Sequence, residues 1–141
     1  MSLQQWLHKL KDNYQLEIDQ TVEGQYSFYC DGMTIHCTET NGRILINADI
    51  INLADSEQEQ EDICKKLLQL ALIQLKNIRE TIAWEDSRRT LVLYRLVNTQ
   101  ELNSDLFEEL IGNFIDALEF FKENCEVSNQ RAPHPNMMLM P

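Results

Sequence analysis

Two dipeptides, Asp31-Gly32 and Asn41-Gly42, punctuate three short runs of β-forming residues, and nothing else in the chain restricts its fold as tightly. Asp, Asn and Gly tolerate the positive φ that a two-residue hairpin turn requires, and such turns match the right-handed twist of the strands they join. The runs Gln25–Cys30, Met33–Thr38 and Arg43–Ile50 are therefore expected to form an antiparallel meander.

Helical periodicity surrounds this meander. Leu3, Trp6, Leu7, Leu10 and Tyr14 recur at helical spacing, and Ser2 with Gln5 resembles a capping box. A second capping box, Ser56 with Glu59, opens a long helix expected to reach about Arg79, its acidic first turn suited to the helix dipole. Thr81–Glu85 and Thr90–Val97 read as two further strands joined by Asp86-Ser87-Arg88. A third helix is expected from Asn103 or Ser104 to about Cys125, with Leu106, Phe107, Leu110, Ile111, Phe114, Ile115, Leu118 and Phe121 on one stripe. Its opposite side carries Glu108, Glu109, Asp116, Glu119 and Glu123, a solvated acidic back. The expected architecture is α+β, in the order α-β-β-β-α-β-β-α, an antiparallel twisted sheet packed with helices over residues 1–125. Residues 126–141 hold all three prolines and show no period, so a flexible C-terminal tail is expected there. Met137, Met138, Leu139 and Met140 in that tail read either as a disordered end or as an adaptable apolar docking segment.

Charge narrows the partners. With 12 Lys and Arg against 23 Asp and Glu, the formal charge is −11, and the average surface repels phosphate backbones and anionic lipids. No nucleic acid and no membrane insertion are expected. Met1–Trp6 lacks the basic and apolar regions of a secretory signal, which points to the cytoplasm. The cysteines, Cys30, Cys37, Cys64 and Cys125, form no CxxC pair and no zinc set, and read as reduced thiols. No metal and no cofactor are expected.

Catalytic constellations are equally sparse. There is no glycine-rich phosphate loop, no GxSxG elbow and no HExxH helix, so no enzyme is expected and no catalytic residue is assigned. Cys30, His36 and Cys37 are the best candidates for a thiol activated by an imidazole. Strand alternation from Met33 nevertheless puts His36 and Cys37 on opposite faces of the sheet. His8 and His134 read as solvated, as do the acidic pairs Glu57/Glu59 and Glu108/Glu109.

What calls for explanation is surplus apolar surface. On the second helix Ile63, Cys64, Leu67, Leu68, Leu70, Ala71, Leu72, Leu75 and Ile78 cover roughly 200° of the circumference, where a stripe somewhat over 100° is usual. The strand from Thr90 carries Leu91, Leu93 and Val97 on one face and Val92, Tyr94 and Leu96 on the other, with Trp84 nearby. A partner subunit would bury this surplus; a three-layer monomer is the alternative.

The element order, with Cys64-Lys-Lys-Leu-Leu-Gln-Leu-Ala-Leu in the second helix and Thr90-Leu-Val-Leu-Tyr-Arg-Leu followed by Leu102 and Leu106–Phe121, resembles the class I type III secretion chaperones. These are the Tir-chaperone-like proteins of Gram-negative pathogens, and the likeness spans roughly residues 2–125. It implies a cytosolic homodimer without a cofactor. Such a protein keeps the N-terminal chaperone-binding segment of one or more effectors extended and presents it to the secretion apparatus and its ATPase. Carried onto this chain, the resemblance implies a dimer interface at Leu68, Leu72, Leu75, Trp84, Leu91, Leu93 and Val97. Leu93→Asp or Leu72→Asp would then break the dimer, and Glu119→Lys would not. The implied effector-binding residues are Trp6, Leu10, Tyr29, Ile35, Leu45 and Ile46, of which Trp6, Leu10, Ile35 and Ile46 are open to a core role as well. A small dimeric adaptor that binds a folded partner is the competing function.

Overall fold

Both hairpin dipeptides adopt the backbone their chemistry allows. Asp31 and Gly32 have φ of 50° and 78°, and Asn41 and Gly42 have 53° and 76°. The computed structural model describes residues 3–22, 24–53, 57–74 and 77–131, of which 126–131 by backbone only. The turns join β2 (Gln25–Cys30), β3 (Met33–Thr40) and β4 (Arg43–Asn52) into the expected meander. Its register pairs Phe28 with Ile35 and Cys37 with Ile46.

Ahead of the meander stands a strand that the sequence reading did not include, β1 (Ile18–Val22), paired antiparallel to β2 with Ile18 opposite Phe28. Only Ile18 is half-buried and the other four residues face solvent, so no alternating apolar pattern marks it. β5 (Thr81–Glu85) and β6 (Thr90–Asn98) complete a six-stranded antiparallel sheet in the order β1-β2-β3-β4-β6-β5. β1 and β5 are its edges.

Helices α1 (Leu3–Tyr14), α2 (Glu57–Ile73) and α3 (Ser104–Arg131) share one core with a single face of the sheet. That face supplies Phe28, Ile35, Cys37, Ile44, Ile46, Ala48, Leu91 and Leu93, and α3 supplies Phe107, Leu110, Ile111, Phe114, Leu118 and Phe121. Asn103 is the cap of α3: its side-chain oxygen accepts the backbone N–H of Leu106 at 2.8 Å, satisfying a donor the helix cannot. Residues 126–131, expected as flexible tail, continue α3, and residues 132–141, with His134 and Met137–Met140, lie outside the described residues. Ser2 and Ser56, the expected N-caps of α1 and α2, both lie outside the described residues.

Helix α2 stops at Ile73, short of the expected Arg79. The backbone N–H groups of Asn77 and Ile78 both donate to the Gln74 carbonyl, closing a turn that leads into β5. The surplus on α2 is real: only Ile63 and Leu67 are fully buried, while Leu68, Leu72 and Ile73 are 53%, 67% and 73% exposed. On the sheet, the face away from the helices carries Leu45 opposite Leu96, Asn47 opposite Tyr94, and Val92 opposite Ala83. Leu45, Tyr94 and Leu96 lie outside the core, whereas Val92 is buried at 8% exposure.

Candidate functional site

Helix α1 ends because Gln15 takes a left-handed φ of 56°, which turns the chain back toward β1. The reversal places Leu16 beside Leu10 and Tyr14, and together with α3 and the β2–β3 turn they enclose a groove of about 440 Å³. Ile111, Gly112 and Ile115 of α3 line it, together with Tyr29, Cys30 and Asp31 at the β2–β3 turn. A Cβ built on Gly112 meets nothing within 4 Å, so that glycine leaves space open rather than accommodating a neighbour. In a helix interior glycine costs roughly 0.5–1 kcal/mol relative to alanine.

Carboxylates stand at the mouth of this groove. The Tyr14 hydroxyl, at the end of α1, donates to Glu108 near the start of α3, and this bond joins the two helices. Giving its proton to a carboxylate raises the Tyr14 pKa above the ordinary tyrosine value. Tyr29 is raised for the same reason, since its hydroxyl donates to Asp19 of β1 at 3.2 Å. The Cys30 thiol is raised by burial first, then by the charges of Asp31 and Glu119.

Of the residues expected to contact a client, Tyr29 is exposed and Leu45 is half-buried on the uncovered sheet face, as their alternation implied. The other four, open to a core role as well, are buried. Trp6, Leu10, Ile35 and Ile46 are 3%, 4%, 0% and 0% exposed, because their stripes are the inward ones. Leu10 alone of these still borders the groove. The interface expectation divides likewise. Leu68 and Leu72 are exposed, Trp84 and Val97 are half-buried, and Leu75 lies outside the described residues. Leu91 and Leu93 are corrected to core, since they pair across the sheet with Ile51 and Ala48 on the helix side. The less covered face of β6 is the other one, at Tyr94 and Leu96, with Val92 on it buried.

The sequence reading missed Tyr14, Leu16, Asp31, Glu108, Ile111, Gly112 and Ile115 as groove residues. Tyr14, Ile111 and Ile115 were absorbed into apolar stripes and Glu108 into a solvated back. The signal available was Gly112, a poor helix former in the middle of a strong helix.

The thiol–imidazole pair is not assembled. His36 Nδ1 lies 2.7 Å from Ser27 Oγ on the outer face, whereas Cys37 points into the core, where burial pushes its thiol up to about 12. A thiol that stays protonated and inaccessible cannot act as a nucleophile. In the folded protein Cys30, which is only half-buried, is expected to react with a maleimide, slowed by its raised thiol pKa, and the buried Cys37 and Cys125 only after unfolding. Peptide mapping by mass spectrometry checks this, and modification of native Cys37 would contradict its placement.

Helices gathered on one side of an antiparallel sheet leave an apolar groove and exposed apolar residues on α2 and β6. The sequence profile of the Tir chaperone protein (CesT) family matches residues 5–122, and the chain belongs to that family. Its fold is shared with solved structures of low identity. The crystal structure of the ExsC-ExsE complex aligns with a TM-score of 0.68 at 18% identity, over 87% of this chain and 96% of the other. The HopA1-SchA chaperone-effector complex gives 0.65 at 13% identity, over 85% and 92%. The Yersinia pestis type III secretion chaperone SycH, in complex with a stable fragment of YscM2, gives 0.55 at 14% identity, over 83% and 97%. No curated protein matches the chain. Among the described residues no helix is long and apolar enough to cross a membrane.

Proposed function

We propose that this chain is a cytosolic type III secretion chaperone of a bacterial cell. It binds the N-terminal chaperone-binding segment of one or a few effectors, keeps that segment extended and soluble, and delivers it to the secretion apparatus and its ATPase. The observation that carries this reading is the family match over residues 5–122. Two of the solved structures that share its fold are described as complexes of a chaperone with another protein.

The surfaces suit the task. An extended segment gains sequence-tolerant main-chain hydrogen bonds along an unpaired strand edge, and selectivity from apolar pockets at alternate side chains. β1 provides such an edge, and the groove bounded by Leu10, Tyr14 and Ile111 provides a pocket beyond the other end of α1's buried stripe. Tyr29 and Leu45 are the client-binding residues retained from the sequence. The chain acts as a homodimer, with Leu68 and Leu72 of α2, together with Leu75, meeting a second copy. Ile73, also exposed on α2, extends the apolar area available to that contact.

Light-scattering mass of the purified protein, combined with mass spectrometry of what co-purifies from its native host, tests the proposal. The expected result is a dimer of about twice the 16.6 kDa chain, carrying the N-terminal part of a secreted protein. A monomer that retains nothing would overturn both the dimer and the chaperone reading.

A further inference from the structure

The groove between α1 and α3 is apolar inside and acidic at its mouth, and this combination specifies its occupant more narrowly than apolar area alone. Its ten lining residues include two carboxylates, Asp31 and Glu108, and no Lys, Arg or His. A third carboxylate, Glu119, lies close enough for its charge to act on the Cys30 thiol in the wall. Lys11, next in sequence to Leu10, borders a different hollow, with Ile18, Gln20 and Tyr26. The lining therefore carries two carboxylates and no basic side chain, which favours a cationic partner.

The interior fixes the second requirement. A dry apolar cavity of ~150 Å³ takes a benzene ring, so one of about 440 Å³ has room for at least one bulky side chain with part of its backbone. The space above Gly112 is empty of protein atoms, and Ile111 and Ile115 flank it one turn of helix apart. The Tyr14–Glu108 hydrogen bond joins two lining residues at the surface, Tyr14 being 57% exposed. A neutral hydroxyl on a carboxylate is a weaker partner than a guanidinium, which can donate two parallel hydrogen bonds with full charge.

We propose that the groove selects a client segment in which a bulky aliphatic residue is followed by Arg or Lys, the aliphatic side chain resting on Gly112 and the cation displacing Tyr14 from Glu108. This rests on the reading of the chain as a binder of client segments, and names the chemistry of the segment that this groove takes. Asp31 on the opposite wall receives a second cation when one follows. Tyr14 thereby acts as a latch that closes the empty groove and yields to charge.

Three synthetic peptides with identical Ser-Gly flanks provide the test, carrying Leu-Ile-Arg-Arg, Leu-Ile-Glu-Glu or Ala-Ala-Arg-Arg at the centre. Protection of Cys30 from maleimide, in a Cys64→Ser background, reports occupancy. The Leu-Ile-Arg-Arg peptide is expected to bind about three- to tenfold more tightly than either counterpart at low salt, with the charge-dependent part of the gap narrowing as salt is added. Tyr14→Phe should strengthen it further by removing the competing donor. Glu108→Lys should abolish its advantage over the Glu-Glu peptide, and Gly112→Leu, which fills the groove while favouring the helix, should abolish protection by all three.

Equal protection by the Arg-Arg and Glu-Glu peptides would overturn the proposal, as would protection that survives Gly112→Leu. Cys30 that becomes reactive only on removal of residues 132–141 would place the chain's own end in the groove and overturn it too. The broader chaperone reading is judged separately. A native client that still co-purifies with Glu108→Lys and Gly112→Leu variants would leave that reading intact while excluding this groove, whereas a wild-type protein with no client at all would remove that reading and leave the peptide comparison to decide the groove.

Discussion

Leu93→Asp is expected to leave no folded protein, and Leu72→Asp to leave a folded chain that no longer pairs with a second copy. Leu93 is fully buried, between Ala48 of β4 and Ile82 of β5, in the layer that α3 covers. Aspartate there loses the burial of a leucine and places a charge where no partner exists, a penalty on the order of 5 kcal/mol. Domains of this kind are stable by only ~5–15 kcal/mol, so the folded population collapses or becomes marginal. Leu72 is 67% exposed, and its replacement changes the stability of the single chain by no more than ~0.5 kcal/mol. In the proposed dimer, the same carboxylate faces an apolar surface and costs enough to separate the copies. Circular dichroism with thermal melting reads the first outcome and light-scattering mass the second. A Leu93→Asp protein that melts like the parent would reverse the assignment of faces on β6, and a Leu72→Asp protein still at dimer mass would remove α2 from the contact.

That contrast shows where sequence reasoning succeeds and where it stops. The hairpins were legible because Asp31-Gly32 and Asn41-Gly42 encode a backbone requirement that acts between neighbouring residues. The excess on α2 was legible because a stripe wider than one packing surface is a statement about a helix alone, and Leu68 and Leu72 are exposed as that implied. For β6 the alternation separated Leu91 and Leu93 from Val92, Tyr94 and Leu96, but period alone carries no information on which face the helices cover. That choice is made by the register with β4 and by the position of α3, both long-range. β1 escaped for the opposite reason: an edge strand with one half-buried residue has no period to detect. The groove was hidden because its walls come from α1, the β2–β3 turn and α3, and Glu108 is a surface carboxylate until Tyr14, 94 positions away, is placed against it.

Trp6→Ala is expected to lower the melting temperature by about 10–20 °C, and Trp6→Phe to change it little. Trp6 is 3% exposed and stacks on Phe107 with ring centroids 5.4 Å apart and planes at 27°, which ties α1 to the first turn of α3. Truncating a buried aromatic to alanine costs about 3–5 kcal/mol, and in a domain of this size each kcal/mol moves the midpoint by roughly 3–4 °C. Phenylalanine keeps an aromatic ring against Phe107 and removes the indole N–H, which is buried with no hydrogen-bond partner among the described residues. The lost volume and the relieved donor act in opposite directions, leaving a net change of about 1 kcal/mol or less. Because α1 forms one side of the groove through Leu10 and Tyr14, the alanine variant should also lose Cys30 protection, but in proportion to unfolding. A Trp6→Ala protein that melted normally and lost only its client would return Trp6 to the surface and make α1 a contact element rather than a structural one.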